Sequence, residues 1–363
     1  MRRELGMLMA LILMCAGLYF SNPDFLGQSN VLNVTRLVSM LGIYSVGIGF
    51  VIITGGIDLS IGSVVGLTGV IIAKMSGTVL EGNSGGMGMS LWLSIPVALA
   101  VACLIGLIQG MLITRLDLQP FIVTLGFMLL LRGVSQTLVH GGSISIGDLK
   151  IAGLVESGWF NVGGNPILAY PLLIFFVVLI LATYALHFTV FGRYIYAIGG
   201  NRDAARYSGI NVKKVETLAY VISAGLGGVA GVCYASYIKE MTYNVGIAYE
   251  LYAIAAAVLG GCSLRGGEGT ILGIVIGSAV MKVIDNGINM YQFRYTDARQ
   301  IQRIWRLDNN WTFIIIGGVI LVAVILDQVV HIVQAARRTR RAGAAAAAAA
   351  PPPPASAPPA VPV

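Results

Sequence analysis

The sequence predicts an all-α, polytopic membrane protein of about ten spans, on three observations. The 363 residues are 56% hydrophobic and only 11% charged, with a mean hydropathy of +0.83, so there are too few polar residues to cover a soluble globule of this size. The apolar residues fall in runs of roughly 20, the length of helix that crosses the hydrocarbon of a bilayer. Inside several runs glycines recur at helical spacing, which lets helices approach closely where packing must replace the hydrophobic drive. The same composition narrows the function classes. The net charge is +7, but the basic residues are scattered over loop ends and a tail, with no basic face carrying interleaved aromatics, so nucleic acid is not an expected partner. Cys15, Cys103 and Cys233 lie in apolar runs, Cys262 lies at a turn, and His140, His187 and His331 are dispersed. Neither a disulfide framework nor a metal centre is expected from that spacing.

In chain order, residues 1–20 place Arg2 and Arg3 before an apolar run with no small-x-small cleavage site after it, which reads as a retained first span with its N-terminus inside. Residues 33–54 return the chain to the cytoplasm. GGIDLSIGSVVGLTGVIIA, residues 55–73, then runs outward with Gly62, Gly66 and Gly69 on one stripe. Asp58 has two readings there, the cap of a tightly packed span or part of an inner gate or ATPase contact. Residues 77–90, Gly-rich with Glu81, form an outer loop; 91–113 span inward; TRLDLQP turns with Arg115 and Asp117. Residues 121–140 span outward and hold Arg132. A charge at that depth is costly unless paired or hydrated and is a functional hypothesis by default; the structural alternative is snorkelling to the interface. Residues 141–166, with Asp148, Lys150 and Glu156, read as a periplasmic cap, and 167–186 span inward.

FGRYIYAIGGNRDAARYSGINVKK, residues 191–214, is the longest polar segment between apolar runs, with Arg193, Arg202, Arg206, Lys213 and Lys214 against Asp203. Such an excess of Lys and Arg marks the cytoplasmic side. Asn201 stands where a helix cap belongs, RDAARYS suits helix, and Gly209 follows where a left-handed stop is wanted. Asp203 and Arg206 suit the helix dipole. A helix of about two turns is too short to stand alone, so it must lean on the membrane domain or on a partner.

Residues 218–237 span outward with Gly225, Gly227, Gly228 and Gly231 as a second close-packing stripe. Residues 249–261, which include Glu250, are too few for a span and read as a re-entrant or discontinuous element. The following GGCSLRGGEGT has no Lys and carries Arg265 ahead of its glycines, so it is not a phosphate-binding P-loop. It echoes GGIDLSIG, and both would follow an inward-going element and begin an outward-going one, as in transporters built from repeats. Residues 270–290 hold Lys282 and Asp285 three apart. That pair either neutralises itself or lines a polar pathway with Asn286 and Asn289. The basic stretch 291–310 reads as an outer loop, either a docking element or a misplaced connection. Residues 311–325 begin the last span, which ends at Asp327, and 336–363 form a basic, Ala/Pro-rich disordered tail beyond the membrane domain of 1–335. With both termini inside, 13 of the 23 basic residues are cytoplasmic: Arg2, Arg3, Arg115, Arg193, Arg202, Arg206, Lys213, Lys214, Arg265, Arg337, Arg338, Arg340 and Arg341.

Four segments in order, GGIDLSIGSVVGLTGVIIA, PFIVTLGFMLLLRG, GRYIYAIGGNRDAARYSGINV and ELYAIAAAVLGGCSLRGGEGTILGIVIGSAV, resemble the permease subunits of bacterial ATP-binding-cassette importers of the ribose/xylose/galactoside class. The resemblance spans residues from roughly 30 to 330, with 291–310 longer than the usual connection there. It implies an inner-membrane permease of which two copies form the pathway in lipid, moving a monosaccharide, pentose or hexose, inward. It implies a cytoplasmic ATPase subunit that receives the coupling loop, at Gly199, Gly200, Asn201, Asp203, Ala204, Ala205, Arg206, Gly209 and Ile210. A periplasmic or lipid-anchored sugar-binding protein would deliver the solute. ATP and Mg would sit on the partner ATPase, with no cofactor in this chain, which has no Walker motif and is not expected to be an enzyme. Asp58, Arg132, Glu250, Lys282, Asp285, Asn286 and Asn289 are the gate or pathway candidates. Within the importer class, branched-chain amino acids or another small polar solute are the competing substrates. An ion-driven secondary transporter would need several carboxylates converging at mid-depth, of which Asp285 is the plausible one. A membrane-embedded enzyme would need a nucleophile with a base or a metal cluster, and none is present.

Overall fold

Helix α2, Gln28–Ile53, is the axis of the bundle: from Ser39 to Ile53 every side chain is buried. It is apolar all round, as a helix surrounded by other helices must be. The structure, a computed structural model, describes residues 2–77, 85–146, 158–162, 165–290, 292–296, 302–306 and scattered positions between 311 and 329. The readings made for Glu81, for Asp148, Lys150 and Glu156, for Asp327 and for the tail 336–363 lie outside the described residues. So does much of the last span, whose described positions are helical.

Around α2 stand α1 (Arg2–Ser21), α3 (Ile61–Ser76), α4 (Leu91–Arg115), α5 (Pro120–Leu138), α6 (Tyr170–Thr183, continued by a π turn over Tyr184–Phe188), α7 (Val190–Gly200), α8 (Arg202–Tyr207), α9 (Val212–Ile238), α10 (Tyr249–Leu259) and α11 (Ile271–Met290). Among the described residues seven helices are long and apolar enough to cross a membrane, namely α1, α2, α4, α5, α6 with its π turn, α9 and α11, while α3 and α10 are shorter. With the helical positions beyond Trp311, this agrees with the expected architecture of about ten membrane elements. Leu13, Phe20, Leu104, Leu129, Phe176 and Ile180 project from the outer faces of α1, α4, α5 and α6, an apolar surface that suits lipid.

Glycines set the close approaches of the bundle, at the expected stripe on α9 and also on α4. Gly106 and Gly110 of α4 bring that helix onto the backbone of α9: a Cβ at Gly106 would lie 2.5 Å from the Tyr220 carbonyl oxygen, and one at Gly110 2.8 Å from Thr217 Cα. Gly227, Gly228 and Gly231 of α9 receive Ile61, Leu99 and Thr68. The stripe on α3 packs differently: Gly62, Gly66 and Gly69 face Gly246, Val245 and Met241 in the segment that leads into α10, and Gly62 also meets Glu250 in the first turn of α10.

One helix start differs from the sequence expectation, and strands add to it. Helix α9 begins at Val212, because the Asn211 side chain accepts a hydrogen bond from Lys214 N (3.1 Å) and starts the helix inside the polar stretch. The 191–214 segment therefore holds α7, the expected short helix α8 and the start of α9. Strands appear in both stretches read as a periplasmic cap and an outer loop, 141–166 and 291–310. Strand β1 (Ser143–Ser145) pairs with β4 (Glu240–Thr242), tying the end of α5 to the end of α9; β2 (Gly158–Val162) pairs with β3 (Asn165–Ala169); and β5 (Gln292–Thr296) pairs with β6 (Gln302–Arg306), all antiparallel. The alternation of Phe293 and Tyr295 with polar neighbours is the period-two signal of the last hairpin.

Candidate functional site

Three Gly-Gly breaks converge at one end of the bundle. Helix α2 stops before Gly55 (φ +85°), α7 stops at Gly200, and the turn after α10 passes through Gly266 (φ +87°) and Gly267 (φ +77°). Gly267 N donates to the Ile53 carbonyl oxygen across 2.8 Å, and a Cβ on Gly199 would collide with both of those atoms. Gly200 next to it has open space. Both members of the internal repeat thus meet at the end of α7.

From this junction α8 projects. Asn201 caps it as expected, its side-chain oxygen accepting from Ala204 N at 2.9 Å with extended backbone. Asp203 and Arg206 stand in its first and last turns. Gly209 takes φ +85° and Ile210 N bonds back to the Ala205 carbonyl (3.2 Å), closing the helix. Ala205 and half-buried Ile210 tuck under, while Asp203, Ala204, Arg206 and Gly209 face outward. Two features escaped the sequence reading. Tyr207 is 90% exposed on the outward face. Arg202 turns back to the bundle, its Nε 2.8 Å and Nη2 3.2 Å from the two oxygens of Glu216 on α9, and Nη2 3.6 Å from Asp117 in the α4–α5 turn. The hydrogen bonds to Glu216, with Asp117 adding, hold the Arg202 guanidinium pKa above its ordinary value against partial burial. Tyr207 was visible as a large aromatic in a polar helix; the partners of Arg202 carry no local signal. Between α8 and the bundle lies a cavity of about 500 Å³ bordered by Gly55, Gly56, Asp117, Pro120, Arg202, Glu216 and Tyr220.

The gate or pathway candidates fall into separate groups. Asp58 is fully buried in the break between α2 and α3. Its Oδ1 accepts from Ser60 N (2.9 Å) and Ser60 Oγ (2.7 Å), its Oδ2 from Ser223 Oγ of α9 (2.8 Å), and Gln109 Nε2 of α4 donates to Ser60 Oγ (2.7 Å). Glu250 at the start of α10 is buried over Gly62; among the described residues neither its Oε2 nor Nη2 of Arg132 has a hydrogen-bond partner, and the Arg132 charge acts on the Glu250 carboxylate. Lys282 and Asp285 do pair, at 2.9 Å, and Lys282 also lies 4.8 Å over the Tyr252 ring. Asn286 exchanges hydrogen bonds of 3.1 and 2.8 Å with Asn30 of α2, whereas Asn289 is exposed and bonds the Asp285 carbonyl of its own helix. The two asparagines therefore serve different surfaces.

A protein-family profile described as "Branched-chain amino acid transport system / permease component" matches residues 30–325. The chain belongs to this permease family. The permease is 36% identical over 321 residues to the ribose import permease protein of Escherichia coli K12, covering 88% of this chain and 92% of that one. It is 38% identical over 320 residues to the ribose import permease protein of Haemophilus influenzae, 88% and 91% covered. To the galactose/methyl galactoside import permease protein of Salmonella typhimurium it is 32% identical over 339 residues, 90% and 94% covered. No solved structure matches it. Family and apolar helices together make it a multi-pass inner-membrane protein.

Proposed function

We propose that this permease forms the membrane pathway of an ATP-binding-cassette importer that moves a monosaccharide inward, with ATP and Mg held by a separate ATPase subunit. The observation that carries the reading is similarity along nearly the whole chain to permeases named for ribose and galactose import, at 36% and 32% identity. Those names favour a sugar over the amino acids in the family's description. Arg115, Arg193, Arg206, Lys213 and Lys214 gather at the α8 end, which by the bias of basic loops is the cytoplasmic end. Both termini then lie in the cytoplasm. The ATPase docks on the outward face of α8, made of Asp203, Ala204, Arg206 and Tyr207. A periplasmic or lipid-anchored binding protein docks at the opposite end, and two copies of this chain enclose the pathway. The catalytic work belongs to the partner: this chain supplies the helix it moves.

Reconstitution tests this directly. In proteoliposomes holding the permease with the cassette ATPase and binding protein of its own cell, labelled ribose, xylose or galactose accumulates only with ATP and the binding protein. Accumulation driven by an ion gradient without the ATPase, or of leucine alone, overturns the reading.

A further inference from the structure

One face of α9 carries Glu216, Tyr220 and Ser223, spaced four and then three residues apart, the neighbours of a helical stripe. Each reaches a different target. Glu216 holds Arg202 of α8; the Tyr220 hydroxyl donates to the Ile57 carbonyl (3.4 Å); Ser223 donates to Asp58 (2.8 Å). Asp58 in turn fixes Ser60 at the start of α3, and Ser60 receives Gln109 of α4. The stripe thus joins the surface helix to the place where α2 breaks into α3, a fully buried polar node that α4 and α9 both touch.

Helix α8 has little else to hold it to the bundle. It has six residues, of which Ala205 is the buried one, and a helix that short has no stability of its own. Among the described residues its ion pairs to the bundle are those of Arg202. The contact to Glu216 is a two-pronged guanidinium–carboxylate fork, which resists rotation as well as separation. Glu216 is only 11% exposed, and Asp117 adds a second attachment in the α4–α5 turn.

We propose that Arg202 is a positioning residue for coupling: it clamps α8 to α9 and delivers the displacement of α8, along the Glu216–Tyr220–Ser223 stripe, to the Asp58 node. The inference rests on the importer reading, and it separates two duties within α8. The outward residues bind the ATPase, and Arg202 transmits.

Two experiments test it. For the permease alone in nanodiscs, Arg202→Gln raises hydrogen exchange at the amides of residues 204–207 about tenfold, the size of a modest coupling free energy; wild-type protection in the variant overturns the clamp. In the complete complex, Arg202→Gln and Glu216→Gln each still co-purify with the ATPase and still hydrolyse ATP, while sugar imported per ATP falls about tenfold. The swap Arg202→Glu/Glu216→Arg restores several-fold of that loss, which a general structural defect would not allow. Ser223→Ala added to Arg202→Gln makes transport no worse than the single variant, within about twofold, because both lie on one path. Loss of the ATPase from the Arg202→Gln complex, normal import by that variant, no recovery in the swap, or independent multiplication of the two effects each overturns the proposal. If the wild-type permease binds no cassette ATPase, the importer reading fails first, in a different sample, and takes the transmission step with it.

Discussion

The sharpest perturbation available is one methyl group at either of two adjacent glycines. A methyl at Gly199 would enter the space between Gly267 N and the Ile53 carbonyl oxygen, which are hydrogen-bonded at 2.8 Å. Two costs follow for Gly199→Ala. Pushing backbone aside in a packed region costs about 1–3 kcal/mol, and separating a buried donor from its acceptor adds about 1–3 kcal/mol. The total is about 2–6 kcal/mol, set by how far α7 can shift from α2. Gly200→Ala meets no atom within 4 Å and removes backbone freedom from the unfolded chain, a gain of about 0.5–1 kcal/mol. At about 2–3 °C per kcal/mol for a chain of this size, Gly199→Ala lowers the detergent-solubilised melting temperature by roughly 4–18 °C. Gly200→Ala leaves it level or raises it by about 1–2 °C. Thermal size-exclusion chromatography of the two variants beside wild type reads both numbers. Equal melting temperatures for the two variants would refute the convergence of the three glycine breaks.

Further predictions rest on other parts of the molecule. Asp58→Ala leaves the Ser60 amide, which no helical carbonyl can take up, and one or both serine hydroxyls without their acceptor, a loss of about 2–5 kcal/mol; Asp58→Asn keeps an acceptor for Ser60 and loses about 1 kcal/mol. Thermal melts check that order. Tyr207→Ala, at a side chain 90% exposed, leaves the melting temperature unchanged and weakens ATPase binding in a pull-down titration by about tenfold, the scale of an aromatic anchor. Lys282→Met strands Asp285, whose side chain is 19% exposed, and loses about 2–3 kcal/mol, whereas Lys282→Met/Asp285→Leu is close to neutral. A double variant less stable than the single one would show that the pair does more than neutralise itself.

What the sequence made legible is what short-range chemistry decides. Asn201, Asp203, Arg206 and Gly209 occupy cap, first turn, last turn and left-handed stop within nine residues, so α8 could be read directly. The short apolar run at α10 and the break at Gly55 were legible because helix length and glycine pairs are local too. The partners were not. Gly62 and Gly66 announced close packing, but the segment they receive, near Val245 and Gly246, is almost half the chain away. Arg202 finds Asp117 and Glu216 for the same reason of distance: no period links them. The strand pairs were missed because each strand is only three to five residues long, and pairs such as β1 with β4 join segments that only the folded bundle brings together.

The hydrogen bonds of Asp58 bear on both of its readings, cap and gate. Between Thr54 and Ser60 the backbone leaves helical geometry while Gly56, Asp58 and Ser60 are buried, and buried irregular backbone survives only if other groups replace the missing helical hydrogen bonds. Asp58 takes the Ser60 amide, and Tyr220 takes the Ile57 carbonyl. Tyr220 belongs to α9, and Ser223 of the same helix holds Asp58, so any movement of α9 relative to the break must loosen or exchange these bonds; a break satisfied wholly within its own strand of chain would be indifferent to its neighbours. If Asp58 also gates, the bonds that make the irregular backbone tolerable are the ones that opening must break. Asp58→Asn separates the two duties, because it keeps acceptor geometry while removing the charge. If the variant is as stable as expected and imports normally, the acid serves the backbone alone. If it folds but stalls import with ATP hydrolysis continuing, the charge itself sets the strength of the latch.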